Sequence, residues 1–437
     1  MLRFSELFVR KEGFFIRTIV KSKPPARAPA SDDNSASWKV QYITTLIRRR
    51  KTMNKHRFLG LAMMMGLLLA ACAQATEAPV EPIKVGFVGD FTGDWSQTEI
   101  PYRDGALFAI DEINEAGGVL GRPLELVTRD CKNDGPLTIR FTEELIDEGI
   151  VYFMGTVGET LVAGGKVACE RGVPISTGVG SADTLIMDIG ECGFQPMIAD
   201  TTQGAVAAQY AYEVLGYRTA YILLSTEFPY VQNLPRYFEQ TFEHLGGEVI
   251  GEDTFLYLGG DYSAQATNLA SLDTQPDVIY TSMIVPDTNL FLRQLRAAGV
   301  DAPVIGPDGF DNVGILDAGE VAEGVLFTTS ALDYPGSIIE DFYNRYEAKT
   351  GKRPDVAYYA DAYDEMYMLK QVIETAGSAD PGPIMEALRT LKDFKGITGT
   401  FTMGPDRRAE RPIFIVGIRN NEYSFVDLML PDWKPEP

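Results

Sequence analysis

From Ile83 onward the chain alternates two kinds of apolar pattern. Short, nearly continuous apolar runs have the length and β-branched content of buried strands, the first being Ile83-Lys84-Val85-Gly86-Phe87-Val88. Similar runs fall at 123–128, 151–154, 173–176, 219–224, 278–281, 304–306 and 325–328. Between them, at 102–116, 137–148, 160–171, 203–215, 229–245, 263–272 and 288–298, apolar residues recur at the spacing of a helix with one buried face. Strand and helix alternating in this way predict an α/β fold of parallel sheets wound on both faces. The rhythm breaks near Tyr334. Helical patterns follow at 337–349, 357–376 and 384–391, and the tail alternates as strands at 398–402, 413–418 and 423–428. No internal repeat is visible.

The first 82 residues do not share this rhythm. Met53 opens a basic stretch, Asn54-Lys55-His56-Arg57, and an apolar segment from Phe58 leads to Leu69-Ala70-Ala71-Cys72. A basic start, an apolar segment too short to span a bilayer and small residues before a cut describe an export signal over 53–72. Its end resembles a bacterial lipobox, in which Cys72 takes the lipid and becomes the mature N-terminus; the competing reading is an ordinary signal with an incidental cysteine. Residues 1–52 are basic, carry no period and run through Arg48-Arg49-Arg50-Lys51 into the signal. They are expected to be a non-native upstream extension, with a long processed leader as the alternative. Residues 73–82 (AQATEAPVEP) have the small, polar, proline-containing composition of a tether.

Charge narrows the list of partners. After Cys72 the chain carries 25 basic and 57 acidic residues, a formal net charge of −32. Such a surface repels nucleic acid and anionic lipid. No apolar run after Cys72 reaches the ~18–20 residues of a membrane helix, so the membrane is reached through the lipid alone. About 350 residues from Pro82 suffice for two domains with separate cores. Three further cysteines remain, Cys131, Cys169 and Cys192. Cys169 ends a helical pattern and Cys192 lies in a turn-rich stretch just downstream, which favours that pair as a disulfide; three small buried thiols are the alternative.

Catalytic machinery is not visible. Gly158 to Lys166 (GETLVAGGK) has one residue too many for a phosphate loop and ends on Val167 where a hydroxyl is needed. Gly178-Val179-Gly180 lacks a third glycine, and there is no Gly-x-Ser-x-Gly elbow. The one histidine after the signal, His244, reads as a surface cap at a helix end. No metal site, cofactor or enzyme activity is expected.

A set of stretches carries a family resemblance. KVGFVGDFTGDW, RDGALFAIDEINEAGGVLGR, FMGTVGETL, GVPISTGVGS, FQPMIADTTQG, PDVIYTSM, FLRQLRAAGVDAPVIGPDGFD, AEGVLFTT and GITGTFTM follow one another between residues 83 and 430. In order and spacing they resemble the type I periplasmic solute-binding proteins of branched-chain amino-acid ABC transporters. The resemblance implies two doubly wound parallel-sheet lobes joined by a three-segment hinge, with ligand held between them. Lobe 1 would comprise 83–201 plus 331–397, and lobe 2 would comprise 202–330 plus 398–437.

The resemblance also implies a ligand shell. Asp308, in Gly306-Pro307-Asp308-Gly309, matches the acid that meets a substrate ammonium, and Asp200 matches a second acidic ligand residue. Tyr230 matches a pocket-lining aromatic. Backbone N–H groups around Val179, Gly180 and Ser181 match the turn that holds a substrate carboxylate. The competing readings are turn capping for Asp308 and Asp200 and plain packing for Tyr230. Trp95 and Phe91 are candidates for an apolar wall or for the core.

One position departs from the family. Glu159 stands where these proteins usually place a hydroxyl that anchors the carboxylate. Two like charges ~4 Å apart at an effective dielectric of ~20 repel by ~4 kcal/mol, comparable to one or two charged hydrogen bonds. If Glu159 faces the cleft, a free carboxylate is disfavoured; if it turns outward, Thr160 could supply the hydroxyl. Asp183 and Asp361, near the expected cleft edges, add to the case for a cationic or amide-like ligand; the competing reading is a solvated acidic rim.

The expectation is therefore a monomeric, lipid-anchored extracytoplasmic receptor. It would pass a small polar solute to ABC permease subunits, with a branched-chain or related amino acid as the reference ligand. The alternatives are a sensor domain reporting to a signalling receptor, or a binder of an amide or cationic amine.

Overall fold

The computed structural model describes residues 80–437. The upstream extension, the signal with Cys72 and most of the tether lie outside the described residues.

Five parallel strands form the first sheet: β1 (Ile83–Gly89), β2 (Leu124–Asp130), β3 (Tyr152–Met154), β4 (Ile175–Ser176) and β5 (Gly193–Phe194). They are ordered β2-β1-β3-β4-β5, with helices in the connections. Every residue of β1 except Lys84 is buried, as expected of a strand covered on both faces. The second sheet collects β6 (Thr219–Leu224), β7 (Glu248–Thr254), β8 (Val278–Thr281), β9 (Val304–Gly306) and β10 (Leu326–Thr329) with the tail strands. A small antiparallel sheet of β11 (Phe394–Lys395), β12 (Thr400–Met403) and β13 (Ala409–Glu410) precedes those tail strands, β14 (Ile413–Arg419) and β15 (Glu422–Met429). The seven-stranded order is β15-β14-β10-β9-β8-β6-β7. It is not wholly parallel, since β14 pairs antiparallel with both β10 and β15.

The hydrophobic pattern missed β7. Its sequence, EVIGEDT, is polar and partly exposed because the strand lies at the edge of its sheet, where one row of backbone groups and much side-chain surface stay in water. The first helix begins at Ser96, ahead of the expected start at 102, and takes Pro101 into its body. Its opening turn is closed by the Thr98 and Glu99 N–H groups, which donate to the Trp95 carbonyl at 2.9 and 3.0 Å.

Two cores define the lobes of this fold. In the first, Ile83, Val85 and Phe87 of β1 pack with the Ser96–Glu115, Ile338–Thr350 and Tyr358–Ala376 helices. The second gathers residues of β6, β8 and β9 with the Asp287–Ala297 helix and with Val416 and Ile418. Phe401, Met403 and Ala409 share the first core, so core membership changes after Ala409 rather than at 398. A small cluster of Met197, Ile198, Val206, Ile413 and Ile415 packs where passages between the lobes run side by side. Cys169 and Cys192 form a disulfide, Cα–Cα 5.2 Å, tying the end of the Gly158–Glu170 helix to the turn before β5. Cys131 is free and buried. His244 closes the Pro229–His244 helix and stacks on Trp433.

Candidate functional site

Loops that follow the carboxyl ends of β1, β3 and β4 in one sheet, and of β6, β8 and β9 in the other, line a single cavity of about 580 Å³. Parallel strands place such loops together at one end of a sheet, so two sheets facing across a cleft bring two sets of loops to the same ligand.

The second lobe supplies a rigid acidic wall. Asp308 follows β9, is 4% exposed and lines the cavity. Its Oδ1 accepts from Tyr230 Oη at 2.9 Å and from Gln203 Nε2 at 3.1 Å. Gln203 Oε1 in turn accepts from the Asp308 N–H and from Thr328 Oγ1. Among the described residues no side chain donates to Oδ2. Burial pushes the Asp308 carboxyl up to about 6, opposed by the bonds from Gln203 and Tyr230. Tyr230, at the start of the Pro229–His244 helix, also accepts from the Gly309 N–H at 2.7 Å. A Cβ at position 309 would stand 2.7 Å from Tyr230 Oη, so this close approach requires glycine.

The first lobe supplies a looser wall. The Gly158–Glu170 helix points its N-terminus at the cavity, with Val157 as a cap that lends no side-chain hydrogen bond. Glu159 is exposed on this wall. Thr160 is buried and donates its hydroxyl to the Val157 carbonyl at 2.9 Å. Beside it run Val179, Gly180 and Ser181, all lining the cavity. Thr177 Oγ1 accepts from the Gly180 N–H at 2.7 Å and donates to the Thr156 carbonyl, which fixes this turn. Glu99 couples the neighbouring loops, accepting from the Asp90 N–H and from Thr156 Oγ1, and burial pushes it up to about 7.

Aromatic rings cross between the two walls. Trp95 is placed by Asp90, whose Oδ1 accepts from the Gly93 N–H at 2.6 Å and Oδ2 from the Trp95 N–H at 3.0 Å. The Trp95 ring lies parallel to Tyr257 at 6.1 Å and edge-on to Phe228 at 5.8 Å, both from the other lobe. Tyr358 completes the apolar lining. Gln203, Phe228, Tyr257, Tyr358 and Glu99 were not singled out from sequence. Phe228 sits two residues from Tyr230 in EFPY, a signal that the neighbourhood was functional; Tyr257 reaches the cavity only through tertiary packing.

Four acidic or aromatic candidates sit elsewhere. Asp200, the first residue of the Asp200–Gln209 helix, is fully buried and not on the cavity wall. Its N–H donates to the Ser181 carbonyl at 2.9 Å, so it backs the wall through Ser181. Its carboxyl oxygens make no hydrogen bond of normal geometry. Burial, followed by the nearby charges of Asp183 and Asp308, pushes it well above the usual range. Asp183 is paired with Arg408 and accepts from the Thr201 N–H at 2.8 Å. Asp361 accepts from Ser330 Oγ at 2.7 Å and is pushed by burial up to about 8, opposed by Arg411. Both aspartates serve the passages between the lobes and add no charge to the cavity wall, because each was spent on a structural partner. Phe91 packs edge-on to Phe87 against the first core.

Comparison with known proteins places this geometry. The chain is 28% identical over 337 residues to the leucine-, isoleucine-, valine-, threonine- and alanine-binding protein of Pseudomonas aeruginosa, covering 76% of this chain and 87% of that one. It is 28% identical over 345 residues to a Leu/Ile/Val-binding protein of Rhizobium johnstonii, with coverage of 77% and 91%. Among solved structures it is similar to a leucine-binding protein of Thermotoga maritima, at a TM-score of 0.71 and 28% identity over 80% of this chain and 99% of that one. The branched-chain amino-acid binding protein of Streptococcus pneumoniae with isoleucine shares the fold, at a TM-score of 0.72 and 23% identity, covering 80% of this chain and all of that one. With two α/β lobes, a cleft at the carboxyl ends of both sheets and a family model for periplasmic binding proteins matching residues 82–422, the chain belongs to that family of solute-binding proteins.

Proposed function

We propose that this protein captures a small amino compound outside the cytoplasm and delivers it to the permease of an ABC importer. It works without covalent chemistry. The observation that carries the reading is Asp308, a buried carboxylate held by Tyr230 and Gln203 and turned onto a cleft between two lobes. Such a group is desolvated in advance, and an incoming ammonium offers it the charged partner it lacks. Hinge closure would then bury the solute, with Trp95 meeting Phe228 and Tyr257 across the mouth. The printed names of the relatives make branched-chain amino acids the reference ligands. Lipidation of Cys72 would hold the receptor near its permease.

The test is a thermal-shift panel on the full chain, spanning aliphatic and aromatic amino acids, amides, polyamines and aromatic acids. A ligand at ~100 times its dissociation constant adds about 2.7 kcal/mol to stability. Asp308→Asn is expected to weaken any hit at least ~tenfold, the loss of one charged hydrogen bond. A hit whose affinity Asp308→Asn leaves unchanged would remove the cleft acid from the site.

A further inference from the structure

The charges on the cavity wall are one-sided. Asp94, Glu159, Glu227 and Asp308 line it, and no Lys or Arg does among the described residues. Glu227 is engaged, its Oε2 accepting from Ser225 Oγ at 2.9 Å and from the Tyr257 N–H at 2.6 Å. Glu159 makes no hydrogen bond or ion pair with the described residues, and Asp308 keeps Oδ2 free of side-chain donors. These two come from opposite lobes, so a ligand between them meets an acid from each side.

Helix N-termini border the cavity at Gly135, Gly158 and Pro229, and the one that carries Glu159 is that of the Gly158–Glu170 helix. A helix end carries roughly half an elementary charge, and Glu159 in its first turn brings a full negative one. An anion entering here meets no net attraction from the helix. Trp95, Phe228 and Tyr257 give the cavity aromatic surface, which suits an organic cation. A free α-carboxylate sealed in this cleft would lose its water and find no cation to replace it.

Resting on the cleft reading above, the geometry points to a narrower ligand class: small organic cations without a free carboxylate, with an ammonium on Asp308 and a second N–H-bearing group, amide or amine, facing Glu159. Glu159 is the residue that sets this preference. Amino-acid amides and short diamines share this chemistry.

Calorimetric titration of the full chain with L-leucine, L-leucinamide and 1,4-diaminobutane separates the cases. At least one nitrogen ligand is expected to bind ~tenfold or more tightly than leucine. Whichever is the tighter of leucinamide and diaminobutane tells an amide second group from an amine. Glu159→Ser is expected to tighten leucine and erase the preference; because Glu159 is exposed and unpaired, the variant keeps the fold. Leucine binding at least as tightly as both nitrogen ligands, and lost in Asp308→Asn, would overturn this inference while leaving the cleft reading intact. Binding of any probe that Asp308→Asn leaves unchanged would overturn both. Heat from none of the three overturns the inference as well.

Discussion

The two walls of the cleft hold their acids in opposite ways. On the second lobe, Asp308 is buried and fixed by Tyr230, Gln203 and, through Gln203, Thr328. On the first, Glu159 is exposed at an uncapped helix end and is held by no hydrogen bond to the described residues. A fixed, desolvated carboxylate sells affinity, because it needs no reorganisation when a cation arrives. A free, solvated one adds little affinity but repels what it cannot tolerate, and repulsion is a source of specificity. On the proposed reading the work would be divided: Asp308 would retain the solute and Glu159 would choose among solutes.

The largest expected effect breaks the retaining side. Asp308→Ala should cost the native ligand about 2–5 kcal/mol, ~30-fold or more by calorimetry. A loss under threefold would mean the two walls do not differ as described.

Acid should act in the same direction by a smaller amount. Burial raises Asp308 to about 6, so a ligand that needs the ionised form should bind about tenfold more weakly at pH 5 than at the plateau above pH 7. Unliganded stability should move the other way. Burial also raises Glu99 and Asp311 to about 7 and Asp361 to about 8. Between the ordinary carboxylate range and these values the folded state binds more protons than the unfolded one. Stability therefore falls as pH rises through that window, and melting temperature should climb as pH is lowered from 8 to 5. A melting temperature that drops over this range would show these acids to be paired rather than merely buried.

Trp95→Ala tests whether the walls meet through their rings. Removing its contacts with Phe228 and Tyr257 should weaken binding by about 1 kcal/mol, ~fivefold, and small-angle scattering should show the liganded protein more open. Unchanged affinity and shape would place closure elsewhere. The smallest effect falls on the choosing side. Glu159→Gln should leave unliganded melting within about 0.5 kcal/mol of wild type, as for an exposed unpaired residue. A larger loss would mean Glu159 has a structural partner and is not free to select.

Much of this fold was legible along the chain. Buried strands such as Ile83–Gly89 and Thr219–Leu224 announce themselves as apolar runs because parallel strands are covered on both faces. Edge strand Glu248–Thr254 stayed hidden for the converse reason. In the site, Asp308, Tyr230, Glu159, Thr160, Val179, Gly180 and Ser181 could be named from motif resemblance and Trp95 from its place in the first strand–helix loop, and all line the cavity. Asp200 was named by the same route and lies behind it, since a motif gives a residue's place in the chain but not which way its side chain turns. Gln203, in the same MIADTTQG stretch, does more for Asp308 than Asp200 does, and only its bonds to Asp308 reveal it.

By itself the sequence determined the alternation of strand and helix, the excess of acid over base and the chemistry available at each loop, because these depend on local pattern and composition. Tertiary structure alone decided which acids remain free. Asp183 and Asp361 look as available as Glu159 until Arg408 and Ser330, far away in the chain, are folded against them. A carboxylate's role depends on what shares its few ångströms of space, and that is set by chain crossings that no local pattern encodes.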